Sequence, residues 1–133
     1  MSSALVHRLA EILDSTEMRE LRAEHAAKAI ADAGAYRWVG IYDVGDEEIE
    51  LIGHTGVQAP AIVRIPVDSG LSGAVVRTRQ TIVGPDRSEI VVPILGAETG
   101  IVIGTLDVES QNLGDDEQLF LETCAQALMP LFE

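Results

Sequence analysis

Gly34-Ala35-Tyr36-Arg37-Trp38-Val39-Gly40-Ile41-Tyr42-Asp43-Val44-Gly45-Asp46-Glu47-Glu48-Ile49-Glu50-Leu51-Ile52-Gly53-His54-Thr55 is the segment in which the apolar spacing of the chain changes. Upstream, apolar residues recur at helical intervals. From residue 36 they alternate, which is the period of a half-buried strand. Residues 36–44 predict one strand, Gly45-Asp46-Glu47 a turn, and residues 48–55 its hairpin partner. Alternation puts Trp38, Gly40 and Tyr42 on one face of the first strand.

On the N-terminal side, Leu5, Leu9, Ile12 and Leu13 form a helical stripe over about 4–14. Ser15 or Thr16 offers an N-cap, and an alanine-rich second helix over about 17–33 is expected to stop at Gly34 as its C-cap. On the C-terminal side, short strands are expected at 62–67, 81–83, 89–95 and 100–109, with a short helix at 70–79. Residues 115–131 close the chain as a helix with Phe120, Cys124, Ala127, Leu128 and Leu131 on one face. Connections of hairpin length imply a mostly antiparallel sheet covered by helices from both ends of the chain, an α+β architecture.

The 133 residues carry 9 Lys+Arg against 22 Asp+Glu, a formal net charge of −13. Chains of this length form one domain as a rule, so residues 1–133 are expected to fold together around a sheet spanning about 36–109. A surface of this sign repels phosphate backbones and anionic lipid, which speaks against nucleic-acid and membrane partners. No apolar run is long enough to span a bilayer, and Glu11 and Asp14 interrupt the start too early for a secretory signal. A cytoplasmic location is expected. One cysteine excludes an internal disulfide, and His7, His25 and His54 share no metal-ligand spacing, so neither metal nor cofactor is expected.

The anomaly is acid inside strands. Asp107 and Glu109 follow the apolar run 101–106, share a face by the period-2 rule, and stand roughly 7 Å apart at about 3.3 Å per residue. Glu89 opens the preceding strand. Carboxylates beside the rings of Trp38 and Tyr42 suit an ammonium group through ion pairing and cation–π attraction. The loop Asp68-Ser69-Gly70-Leu71-Ser72-Gly73 runs into a helix start, whose N–H groups suit the anionic end of a zwitterion. The plain alternative is acids at strand ends in water and aromatics that are ordinary core.

Taken in order, Trp38-Val39-Gly40-Ile41-Tyr42, Arg64-Ile65-Pro66, Gly70-Leu71-Ser72-Gly73, Ser88-Glu89-Ile90-Val91-Val92-Pro93 and Ile103-Gly104-Thr105-Leu106-Asp107-Val108-Glu109-Ser110 resemble a GAF domain. The resemblance is specifically to the free methionine-(R)-sulfoxide reductases, over about 35–128. It implies an antiparallel sheet of about six strands, the terminal helices packed on one face and a ligand pocket on the other. It also implies ligand binding by Trp38, Tyr42, Glu89, Asp107 and Glu109, the last replacing a second aspartate. Two departures bear on activity. Ser72 stands where the reductases carry a cysteine, and Gly84-Pro85-Asp86-Arg87 replaces the long loop that carries their catalytic cysteine.

Sulfoxide reduction needs a thiolate to attack sulfur and a second thiol to release it. A hydroxyl performs neither step. The expectation is therefore a small-molecule-binding domain without catalytic residues, its pocket suited to an amino-acid-like ligand and lined by Trp38, Tyr42, Ser72, Glu89, Asp107 and Glu109. The alternatives are an active reductase and a structural dimerisation module. A homodimer is expected, and the Leu5-Leu9-Ile12-Leu13 stripe serves either as its seam or as a cover for the chain's own sheet.

Overall fold

The computed structural model describes residues 3–57 and 63–132. The elements run α1 (Ser3–Leu13), α2 (Arg19–Gly34), β1 (Trp38–Val44), β2 (Glu48–Gly56), β3 (Arg64–Pro66), α3 (Gly70–Thr78), β4 (Ile82–Val83), β5 (Glu89–Leu95), β6 (Val102–Glu109) and α4 (Asp115–Ala127), with a 3-10 turn at Met129–Phe132. All six strands join one antiparallel sheet in the order β3-β2-β1-β6-β5-β4. The expected α+β architecture is what forms. The expected strand at 62–67 is described from Arg64; its first residue, Ile62, lies outside the described residues.

Alternation gives the sheet two unlike faces. Val39, Ile41, Ile90, Val92, Ile94, Leu106 and Val108 point to the helices and are buried with Ile30, Leu121, Cys124 and Leu128. Helix α2 lies close on β2 because Gly53 meets the backbone of Ala23 and Glu24, where any Cβ would collide. Helix α4 covers β5, and α1 packs outside on α2 and α4. Leu5, Leu9 and Leu13 are thereby buried inside the molecule. The opposite face carries a smaller apolar group, Trp38, Tyr42 and Ile49, walled by Ile65, Val67 and Val76.

Several boundaries move for identifiable reasons. The left-handed residue after α2 is Ala35, not Gly34 (φ 55°), and Gly34 is needed instead because the Tyr36 ring lies over it. Tyr36 does not begin the strand: its N–H donates to Ala31 O, and its hydroxyl donates to Glu117 Oε1 at 2.5 Å. Helix α2 starts at Arg19 with Met18 at its N-cap and without a Ser15 or Thr16 cap, because the Ser15 hydroxyl accepts from Glu17 N–H at 3.3 Å in a turn before the helix. Arg19 itself donates through Nη1 and Nη2 to Asp43 Oδ2 and Oδ1 at 2.6 and 2.5 Å. The closing helix ends at Ala127, just before Pro130, which has no N–H to continue it.

Each side of the sheet carries a proline whose nitrogen faces outward, Pro66 at the end of β3 and Pro93 within β5. Val67 N–H bonds Glu47 O and Leu51 N–H bonds Val63 O, so Ile65 lies in a hydrogen-bonded pair with β2, and the nitrogen of Pro66 faces away from it. On the far side, Ser110 N–H bonds Ser88 O. The alternation from there turns the nitrogen of Pro93 outward, beyond the two-residue β4. Each rim therefore lacks a donor where a further strand would add.

Candidate functional site

The face of the sheet turned away from α1, α2 and α4 forms, with the start of α3, a cavity of about 460 Å³ lined by Trp38, Tyr42, Ile65, Ser69, Gly70, Leu71, Ser72, Ser88, Glu89, Asp107 and Glu109. All six residues singled out from the sequence are among them. Register explains the gathering. Trp38 and Glu89 both pair with Glu109, one on each side, and Gly40 and Val91 flank Asp107 in the same way. Strands distant in sequence are thus neighbours at the level where acids and rings alternate.

Gly40 shapes the floor. The indole of Trp38 lies over it, where any Cβ would overlap the ring. Trp38 is 2 % exposed, and its ring stands 6.4 Å from that of Tyr42 at 52°. His54, on the neighbouring strand, lies 6.3 Å from the indole on the same side of the sheet. The start of α3 reaches in from the opposite side, with Ser69 at its N-cap making no side-chain cap bond. Its first N–H groups and the helix dipole favour an anion there.

Asp107 is the most deeply placed acid, 5 % exposed. Ser72 Oγ donates to its Oδ2 at 3.3 Å. Its Oδ1 has no hydrogen-bond partner among the described residues, and neither do Trp38 Nε1 and Thr105 Oγ1. Burial pushes the Asp107 carboxyl up to about 7; the nearby Thr105 and Ser72 hydroxyls ease its charge only in part, and Glu89 and Glu109 add repulsion. The Thr105 hydroxyl is close enough to be felt without meeting the carboxylate in hydrogen-bond geometry. Burial, then Glu109 and Asp86, raise Glu89 as well. The Tyr42 phenol is held neutral, first by burial and then by the three acids. Arg37, half exposed, reaches Glu109 at 3.8 Å.

The rim at Glu89 is fixed by a short, heavily bonded turn. Asp86 accepts from Ser88 N–H at 3.1 Å and Ser88 Oγ at 2.7 Å, bonds that hold its carboxyl below the ordinary value. Arg87, in the left-handed region at φ 57°, donates through Nε to Leu113 O at 2.8 Å, while Leu113 N–H returns to Arg87 O. Neither this turn nor Ser72 carries a thiol. Cys124 is fully buried among the helices, on the other side of the sheet from the cavity, and burial raises it to about 12. A thiol so placed is an apolar filler.

Sequence reasoning did not single out Thr105, although it lies two residues before Asp107 and therefore on the same face. Ile65 and Ser88 also escaped it, because they reach the cavity through strand order and turn geometry. A larger groove of about 780 Å³ runs between β5 and α4, bordered by Arg79, Pro93, Leu95, Glu122 and Met129. It gathers none of the acids and rings above, and Glu122 is already engaged by Thr81 Oγ1 at 2.6 Å and Gln118 Nε2 at 3.3 Å. Among the described residues, no three His, Cys, Asp or Glu side chains are grouped to hold a metal ion, and no helix is long and apolar enough to cross a membrane.

The chain superposes on the GAF domain of an Acinetobacter phosphoenolpyruvate-protein phosphotransferase with TM-score 0.82 and 17 % identity, covering 99 % of this chain and 94 % of that one. The fold is GAF-like. The domain is also similar to the free methionine-R-sulfoxide reductase of Neisseria meningitidis, solved in complex with its substrate: TM-score 0.79, 27 % identity, 96 % and 86 % covered. The reduced fRMsr of Staphylococcus aureus gives TM-score 0.78 at 24 % identity, with 98 % and 94 % covered. No protein-family model matches the sequence, and no curated protein matches it at a significant level. The GAF-like domain described here differs from the reductase pattern in its thiols. Its one cysteine, Cys124, stands at neither motif position.

Proposed function

We propose that residues 1–133 work as one cytoplasmic GAF-like sensor domain that binds a small amino-acid-like molecule and catalyses no reaction on it. The observation that carries this reading is the meeting of Trp38, Tyr42, Glu89, Asp107 and Glu109 with the start of α3 around one cavity of about 460 Å³. In this reading the ligand's ammonium group lies against the carboxylates and the indole, and its carboxylate takes N–H groups at Gly70–Ser72. The absence of catalysis is supported by Ser72, by the thiol-free turn 84–87, and by the burial of Cys124 in the helix layer.

The test is a thermal-shift and calorimetric screen of the purified chain against amino acids and their sulfoxides. A true ligand at a hundred times its Kd adds about 2.7 kcal/mol to stability, and Glu89→Gln and Trp38→Phe each weaken it by about tenfold or more. Silence across the panel removes the reading. In the same samples, methionine sulfoxide incubated with a dithiol reductant is expected to remain unreduced. Turnover abolished by Cys124→Ser would instead establish a reductase.

A homodimer remains part of the proposal, but on different residues. Leu5, Leu9 and Leu13 are committed within the chain, so pairing must use the outer faces of the helices. Sedimentation at micromolar concentration then gives twice 14.3 kDa. A species of 14.3 kDa removes the dimer and leaves the cavity untouched.

A further inference from the structure

We propose that the cavity takes up the cationic group of its ligand in exchange for a proton held on Asp107, so that occupancy falls as the medium acidifies. This rests on the ligand-binding reading above and adds a regulatory property to the same site.

The argument is geometric. Glu89 and Glu109 are direct cross-strand partners, and Asp107 lies two residues deeper on the same face of β6. Three carboxylates share one partly enclosed space, where like charges disfavour full ionisation. Among the described residues, the groups that face Asp107 or its neighbours can be named element by element. From β1 come Tyr42 and the indole of Trp38; from β6 come Thr105 and Glu109; from β5 comes Glu89. Asp86 acts on Glu89 from the turn before β5, and α3 contributes the uncharged Ser72. Arg37 approaches Glu109 from an exposed position. His54 stacks on Trp38 from β2. Of the three acids, Asp107 is the most buried and has an oxygen with no hydrogen-bond partner among the described residues. The empty cavity therefore keeps its proton there.

When an ammonium group enters, the O–H bond of Asp107 breaks and its proton passes to solvent water. The resulting carboxylate accepts a hydrogen bond from the ammonium, and no bond forms to the ligand skeleton. One positive charge enters as one leaves, so the cavity's net charge is unchanged. With the Asp107 carboxyl near 7, the exchange falls where small changes of pH alter occupancy.

The experiment titrates the intact chain with methylammonium chloride, read from the indole 1H–15N resonance of Trp38, the one tryptophan in the sequence. Apparent affinity should be about tenfold weaker at pH 6 than at pH 8.5. Calorimetry in buffers of different ionisation enthalpy should find close to one proton released per methylammonium bound at pH 6 and almost none at pH 8.5. Asp107→Asn should bind more weakly and without pH dependence. Ser72→Ala, which removes a bond favouring the carboxylate, should move the midpoint upward while retaining the exchange. Binding that is equal at both pH values overturns the exchange alone. A pH dependence that survives in Asp107→Asn places the proton elsewhere and also overturns it. No binding at either pH overturns the proposal, and with a silent amino-acid panel it overturns the ligand-binding reading too.

Discussion

Asp107 occupies a position in the middle of the sheet where an apolar residue would serve stability better. In the folded chain its carboxyl keeps a proton up to about pH 7, whereas its ordinary value is 3.8. Between those values folding takes up a proton, so stability declines as the pH rises through this window, and the loss is complete above about 7. The gap corresponds to about 4 kcal/mol at about 1.36 kcal/mol per pH unit, a ceiling for what one buried carboxylate costs. Asn keeps the shape and an acceptor for Ser72 but cannot ionise. Asp107→Asn is therefore expected to raise the melting temperature at pH 8 and to leave it nearly unchanged at pH 4, as scanning calorimetry would read. Equal gains at both values would show that ionisation is not what burdens this position. A side chain retained at such a cost fits a residue kept for binding.

Among the elements, one side chain joins three parts of the chain. Arg19, at the start of α2, makes a two-pronged contact with Asp43 of β1 and donates through Nε to Leu131 O at 2.7 Å. Its guanidinium also lies 5.2 Å above the centre of the Phe132 ring, and that ring fills the space over Gly104. Both charged partners are about one-third exposed, which tempers the gain. Arg19→Ala is expected to cost about 1–3 kcal/mol in denaturant unfolding. Hydrogen exchange should quicken at residues 129–132 more than in the centre of β6, and Arg19→Lys should recover less than half the loss because it lacks the planar fork.

The sequence discloses faces and withholds partners. Alternating residues assigned faces correctly: Trp38, Tyr42, Asp107 and Glu109 do share one, and the strand expected at 89–95 has those bounds. Local spacing says nothing of partners, however. That β1 lies beside β6, with Trp38 opposite Glu109, follows only from the strand order of the folded sheet. Helix α2 begins two residues past the expected start because the Ser15 hydroxyl closes a turn on Glu17 N–H ahead of it. Gly34, expected as the C-cap, is instead constrained by a tyrosine ring folded back from residue 36, and the cap falls on Ala35.

For the molecule as a whole, the net charge of −13 and the proline at each sheet rim act together on self-association. Restoring an N–H at both rims with Pro66→Thr and Pro93→Thr is expected to give concentration-dependent species larger than those of the parent chain, seen by sedimentation at high salt where charge repulsion is screened. An unchanged mass distribution would show that the rims are blocked by something other than the missing donors. The arrangement also bears on how copies of this chain can meet at all. With one donor missing along each margin of the sheet, growth by stacking ribbon upon ribbon is hindered, and contacts between copies fall more to side chains on helices and loops. Contacts of that kind end in particles of fixed size only where one patch meets its own copy, so the symmetry of the helix faces, and not the sheet, decides how far assembly runs.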